Sequence, residues 1–241
     1  MLGNLCTLIT VLTYVDAVIV VTQTPAVHTA STGQEVVLNC NIERYDSASV
    51  GWYKQVPGDT PQFVLEFFLG DNSLNYGTGF SSDRFNSKSL SNIEYQLIIS
   101  KTETGDSAVY YCETWDNSDK EYVFGQGTKL IVTSSSLPPP VLTIFPPSSA
   151  ELRSNKASLV CLSSQSVPFA DVTWLADGSP VSSGVSTSTA VQQPDQSFQI
   201  SSYLDIQTSE WNMNKVYTCK VSLGSQTSEK NINKSKCRTE E

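Results

Sequence analysis

Four groups of residues in this 241-residue chain have types and spacing that chemistry could use. The first, Gly125-Gln126-Gly127, suggests a loop whose backbone amides cradle a phosphate. That role needs a parallel strand before it, a helix after it, and a third glycine or a Lys-Ser/Thr pair. Thr128-Lys-Leu-Ile-Val132 reads as a continuing strand, so a β-bulge is expected at the glycines. Asp116, Asp119 and Glu121 form the second group. Paired carboxylates work as general acid and base only where a cleft pushes their pKa values apart. An exposed loop between Cys112 and Phe124 offers no such cleft. The third is His28, the only histidine, which gives a Ser–His–Asp triad one possible base and excludes a multi-histidine metal site. The fourth is the set of six cysteines, none in a C-x-x-C pair, so zinc and thioredoxin-like sites lack support. No catalytic residue, metal or cofactor is expected, and the chain is read as a non-enzyme.

Charge narrows the partners. The 15 Lys+Arg against 24 Asp+Glu give a net charge of −9 and a pI near 4.6, which argues against nucleic acid binding through a basic face. The length suits two domains of roughly 100–120 residues. Near the N-terminus, Leu5–Val15 is apolar but too short for a bilayer, which takes about 20 apolar residues. Val15-Asp16-Ala17 has small residues where signal peptidase needs them, so residues 1–17 are expected to be a signal peptide. No later apolar run is long enough to insert in a membrane, so secretion is expected. Removing the signal takes Cys6 and leaves five cysteines, an odd count in an oxidising compartment. Cys237, in a polar tail, is the natural one left over.

The elements that must position these groups fall into two halves. Ser134-Ser-Ser-Leu-Pro-Pro-Pro140 reads as a short, semi-rigid linker between residues 18–133 and 141–241. Each half repeats one grammar. Cys40 is followed by Trp52, then by Tyr110 two positions before Cys112; Cys161 is followed by Trp174, then by Tyr217 two positions before Cys219. Val36, Leu38, Cys40 and Ile42 alternate with mostly polar neighbours, as do Tyr95, Leu97 and Ile99, the period of half-buried strands. Turn signals such as Pro57-Gly58-Asp59 and Asp177-Gly178 punctuate them. No long segment has a helical apolar period. The expected fold class is all-β, two antiparallel β-sandwiches.

This Cys–Trp–Tyr-x-Cys spacing resembles that of immunoglobulin domains. The resemblance implies Cys40–Cys112 and Cys161–Cys219 disulfides, each worth about 4 kcal/mol in the chain-entropy model. It also implies a tryptophan packed on each bond and a tyrosine hydroxyl tying a corner to the backbone. The longer first cysteine span leaves room for an extra strand pair, making the N-terminal half variable-type and the C-terminal half constant-type. Trp52-Tyr-Lys-Gln-Val-Pro-Gly58, Asp106-Ser-Ala-Val-Tyr-Tyr-Cys112, Phe124-Gly-Gln-Gly-Thr-Lys-Leu130 and Pro140-Val-Leu-Thr-Ile-Phe-Pro-Pro-Ser-Ser-Ala-Glu-Leu152 together resemble an immunoglobulin light chain. The stretch from Phe67 to Phe80 and the tail after Cys237 are longer than in familiar mammalian light chains, and no isotype is assigned. A non-mammalian vertebrate source fits these departures.

The resemblance implies antigen contacts in three loops. These are Arg44, Tyr45 and Asp46 in the first (Asn41–Gly51), and Phe68, Asp71, Asn72 and Tyr76 in the second (Phe67–Gly77). Trp115, Asp116, Asp119 and Tyr122 are the candidates in the third. It also implies an immunoglobulin heavy chain as partner, bonded through Cys237 and packed on Tyr53, Gln55, Pro61, Tyr111 and Phe124. Phe63 and Glu66 are less usual neighbours for that surface. In the constant half, Ser158-Leu-Val-Cys-Leu162 is nearly continuously apolar, which turns Val160 and Leu162 outward beside Phe145 as a second pairing patch. Arg84 and Asp106 match a structural salt bridge. Besides secretion, the resemblance implies display at the cell surface with a membrane-bound heavy chain. A T-cell-type receptor chain and a free light chain are the alternatives.

Overall fold

The computed structural model describes residues 19–44, 49–134, 138–195, 197–223 and 226–237. The expected signal peptide, Tyr45, Asp46 and the tail beyond Cys237 lie outside these residues. The first half contains β1 (Thr22–Thr24), β2 (Val27–Ser31), β3 (Val36–Asn41), β4 (Ser49–Gln55), β5 (Gln62–Phe68) and β6 (Leu74–Tyr76). It continues with β7 (Phe85–Ser89), β8 (Glu94–Ile99), β9 (Ala108–Asp116), β10 (Glu121–Phe124) and β11 (Thr128–Thr133). One sheet runs β1-β3-β8-β7; the other runs β2-β11-β9-β4-β5-β6, with β10 also on β9.

The second half contains β12 (Val141–Phe145), β13 (Lys156–Gln165), β14 (Asp171–Ala176), β15 (Ser179–Pro180), β16 (Val185–Thr187) and β17 (Val191–Gln192). Then come β18 (Phe198–Gln207), the five-residue helix α1 (Thr208–Asn212), β19 (Tyr217–Leu223) and β20 (Gln226–Ile232). Its sheets are β12-β13-β18-β16, with β17 on β18, and β15-β14-β19-β20. The two all-β sandwiches are as the sequence implies. The cysteine spans are 72 and 58 residues, and the difference is the β5–β6 pair, where the second half has only two-residue β15. Helix α1 was not legible beforehand, because one turn is too short for an apolar period. Gln207 and Glu210 cap it reciprocally, and it buries Trp211.

Both cores follow from alternation. Val36, Leu38 and Cys40 on β3 meet Leu97 and Ile99 on β8, all buried. Trp52 sits beside Cys112 in register, and Trp174 beside Cys219, with both tryptophans buried at the Cys40–Cys112 and Cys161–Cys219 bonds. The corners differ. Tyr110 donates its hydroxyl to the Asp106 carbonyl at 2.9 Å, but Tyr217 has a buried hydroxyl with no partner among the described residues. The implied second corner tie is therefore absent: Tyr217 stacks on Trp211 instead, and burial, helped by Glu210 and Asp177, pushes its phenol up to about 12. Arg84 does pair with Asp106, whose carboxylate also accepts from the Glu103 amide. That carboxylate is 4% exposed, so the pair is more than a surface contact. Where the two halves meet, the Lys129 ammonium lies 4.5 Å from the centre of the Phe169 ring.

The glycines between β10 and β11 serve packing. Gln23 on β1 pushes its side chain under them: its Oε1 accepts from the Cys112 and Gly127 amides at 3.0 and 3.1 Å, and its Nε2 donates to the Tyr110 carbonyl at 2.9 Å. Gln126 closes the ring by exchanging hydrogen bonds with the Gln23 backbone. A Cβ at Gly125 would collide with Gln23 Oε1, and one at Gly127 would come within 2.8 Å of the Val109 and Tyr111 side chains. Gly127 also has φ +86°, which favours glycine. Gln23→Ala removes the side-chain acceptor of the Cys112 and Gly127 amides and leaves both buried without it. We expect it to lower the stability of the variable-type half by about 3 kcal/mol, with the constant-type half unchanged, as resolved by calorimetry of the two transitions.

Candidate functional site

Three loops gather at one end of the first sandwich. Their strands reach further into them than the sequence suggests. Asn41 and Ser49–Gly51 are strand rather than first loop, and Gly51 is buried in the sheet. The second loop reduces to residues 69–73, because β5 runs through Phe68 and β6 begins at Leu74. Asp71 Oδ1 there accepts from the Ser73 amide at 3.0 Å, and Asn72 has φ +56°. Asp71, Asn72 and half-buried Phe68 remain at the loop. Tyr76 does not, since it lies in β6, packs on the core and donates its hydroxyl to the Phe85 carbonyl.

The third loop is a hairpin. β9 extends to Asp116 and β10 starts at Glu121, so the turn is 117–120, with Asp119 exposed. Trp115 and Tyr122 pair across the strands with ring centres 4.9 Å apart, edge to face, which fixes two large rings at the rim. Asp116 does not present its carboxylate to a ligand. It is fully buried and accepts from the amides of Ile19, Ser118 and Asp119 at 3.1, 2.7 and 3.4 Å. Arg44 from the first loop stands 3.7 Å from that carboxylate and donates to the Ser118 hydroxyl, linking the two loops.

Below the loops, the outer face of the second sheet is aromatic. Tyr53 meets Phe63 and Phe124 edge to face at 5.5 and 5.6 Å, and Phe124 is 52% exposed. Tyr111 is opposite Tyr53 in register. Gln55 and exposed Pro61 border the face, the former through an amide hydrogen bond to the Asp59 carbonyl. Glu113, also on this face, had no place among the expected contacts. It is buried, and burial, then Glu66, pushes its carboxyl up to about 7. Only the strand pairing that brings β5 and β9 to either side of β4 could have found it.

The constant-type half carries a matching patch. Phe145 and Tyr203 lie opposite Val160, and Leu162 is two residues further along β13. Phe145 and Tyr203 are 45% and 44% exposed, Val160 and Leu162 half-buried. Tyr203 was not anticipated, since β18 gives no apolar run at that point. Cys237 is unpaired and half-buried just beyond β20, its thiol pushed up by burial.

Residues 23–133 match the immunoglobulin V-set domain and residues 142–225 the immunoglobulin C1-set domain. The chain is therefore built of two immunoglobulin domains, variable-type then constant-type. It is similar to a viral T-cell receptor beta chain-like protein of feline leukemia virus, 33% identical over 190 residues. That match takes in 76% of this chain and 58% of the relative's length.

Asp116 gives a direct test of loop anchoring. Its carboxyl is held below the ordinary range by the Ile19 amide first, then by Ser118, Asp119 and Arg44. Anchoring is thus complete above the unfolded carboxyl pKa and is lost as pH falls through the lower folded value. Asp116→Ala should speed hydrogen exchange at Ser118 and Asp119 about tenfold at pH 7, with core amides of β3 and β8 unchanged by the same measurement.

Proposed function

We propose that this chain is an antibody light chain. It pairs with an immunoglobulin heavy chain and contributes half of an antigen-binding site, acting by reversible binding rather than catalysis. The observation that carries the reading is the pair of exposed apolar sheet faces, one per domain: Tyr53, Phe63 and Phe124 in the first, Phe145 and Tyr203 in the second. Contiguous exposed aromatic patches of this kind fit protein partners. Loops rimmed by Trp115 and Tyr122, with Asp71, Asn72, Phe68, Asp119 and Arg44 nearby, supply rigid rings beside adaptable polar groups, a composition suited to antigen contact. Cys237 supplies the covalent link to the heavy chain. The likeness to a T-cell receptor beta chain-like protein favours a second reading, a receptor chain of T-cell type, paired with a different partner through the same faces.

Co-expression separates the two. With an immunoglobulin heavy chain from the same species, the expected result is a disulfide-linked heterodimer on non-reducing gels, which resolves into two chains on reduction. Pairing with an alpha-type T-cell receptor chain, and none with the heavy chain, would establish the second reading. Cys237→Ser should abolish the covalent link and leave noncovalent association at micromolar concentration; complete dissociation would show that the two faces do not suffice.

A further inference from the structure

Gly51 lies between two carboxylates. It pairs with Glu66 on β5 and with Glu113 on β9, so all three residues project from the outer face. Phe124 lies on the other side of Glu113 in register. Glu113 is 7% exposed, and its Oε2 has no hydrogen-bond partner. A Cβ at residue 51 would collide with Glu113 Oε1, so the missing side chain lets Glu113 lean over the glycine toward β5. Among the described residues, no cation pairs with Glu113 or Glu66; Arg44 faces Asp116 instead. A buried carboxylate without donors is costly, and native structures keep one where a further group completes it.

We propose that Glu113 and Glu66, astride Gly51, accept one lysine or arginine side chain from the variable-type domain of the partner chain. This rests on the pairing reading above. Charge selects the occupant. A second copy of this chain, docked by a two-fold axis, would set the same face against itself and bring four carboxylates together. A basic side chain meets both carboxylates and is shielded by the aromatic rings around them. The pair thus favours a heterodimer and works against self-pairing.

Proton linkage makes this measurable. The titratable groups facing Glu113 are Glu66 on β5 and Tyr53 on β4, with Tyr122 on β10 beside them. Phenols carry no charge near neutral pH, so Glu66 is the one charge that adds to burial in raising Glu113 to about 7. Below that pH, a cation must displace a proton before it can bind. Pairing should therefore weaken about tenfold from pH 8 to pH 6.

The test uses full-length chain carrying Cys237→Ser, with the co-expressed heavy-chain fragment as probe, in calorimetric titrations at pH 8 and pH 6. The wild-type face should show the tenfold loss. Glu113→Gln should bind about tenfold more weakly at pH 8, with no further loss at pH 6. Glu66→Gln, at a half-buried position with little bearing on folding, should weaken pairing in the same direction. Sedimentation of each chain alone should show more dimer for Glu113→Gln than for wild type at pH 8. Binding of equal strength at both pH values, with neither variant different from wild type, would overturn this inference and leave the pairing reading intact. Failure of the unaltered face to bind the heavy-chain fragment at pH 8 would overturn both.

Discussion

The register of β9 against β4 is the constraint on which the rest of the first domain depends. Strand alternation sends Tyr110, Cys112, Thr114 and Asp116 inward and Val109, Tyr111, Glu113 and Trp115 outward. A slip of one residue would exchange the two sets. It would break the bond to Cys40, the Tyr110 corner tie and the Gln23 network, and it would turn the aromatic face into the core. Each of those interactions fixes the same register from a different direction. The first reaches across the sandwich to β3, the second back along the chain, and the third to β1.

Two carboxylates on this strand show how the same fold shifts carboxyl pKa values in opposite directions. Asp116 is buried against three backbone amides, which hold its ionised form and lower its pKa. Glu113 is buried without such donors and beside Glu66, so its pKa rises. Depth alone does not decide the sign; the presence of donors does. Asp116 therefore organises the loops, whereas Glu113 sits without donors beside the aromatic rings of the outer face.

The constant-type domain reaches a similar core with different ties. Trp174 donates to the Ser202 hydroxyl at 2.9 Å, while Trp52 has a buried Nε1 without a partner. The tyrosines reverse the pattern, Tyr110 being tied and Tyr217 not. Repeated residue spacing thus fixes where the rings sit but not which polar atom each one meets. Trp174 finds its partner on another strand, the serine on β18, and Tyr110 finds its own four residues back along the chain.

What the sequence by itself determined is the frame. Two copies of one cysteine, tryptophan and tyrosine spacing, with period-two alternation, defined two sandwiches and the residues of their cores. The outward setting of Val160 and Leu162 was legible for the same reason, since alternation from Cys161 leaves them no other side. Only the tertiary structure decided the chemistry of the faces. Asp116 read as an acidic loop residue and Glu113 had no expected role; the Ile19 amide that helps hold the first and the Glu66 carboxylate that faces the second both come from distant parts of the chain. Tyr76 looked like a loop contact until β6 paired with β5. A strand's own period records which side a residue takes; what waits on that side is set by other strands, and only folding brings those strands together.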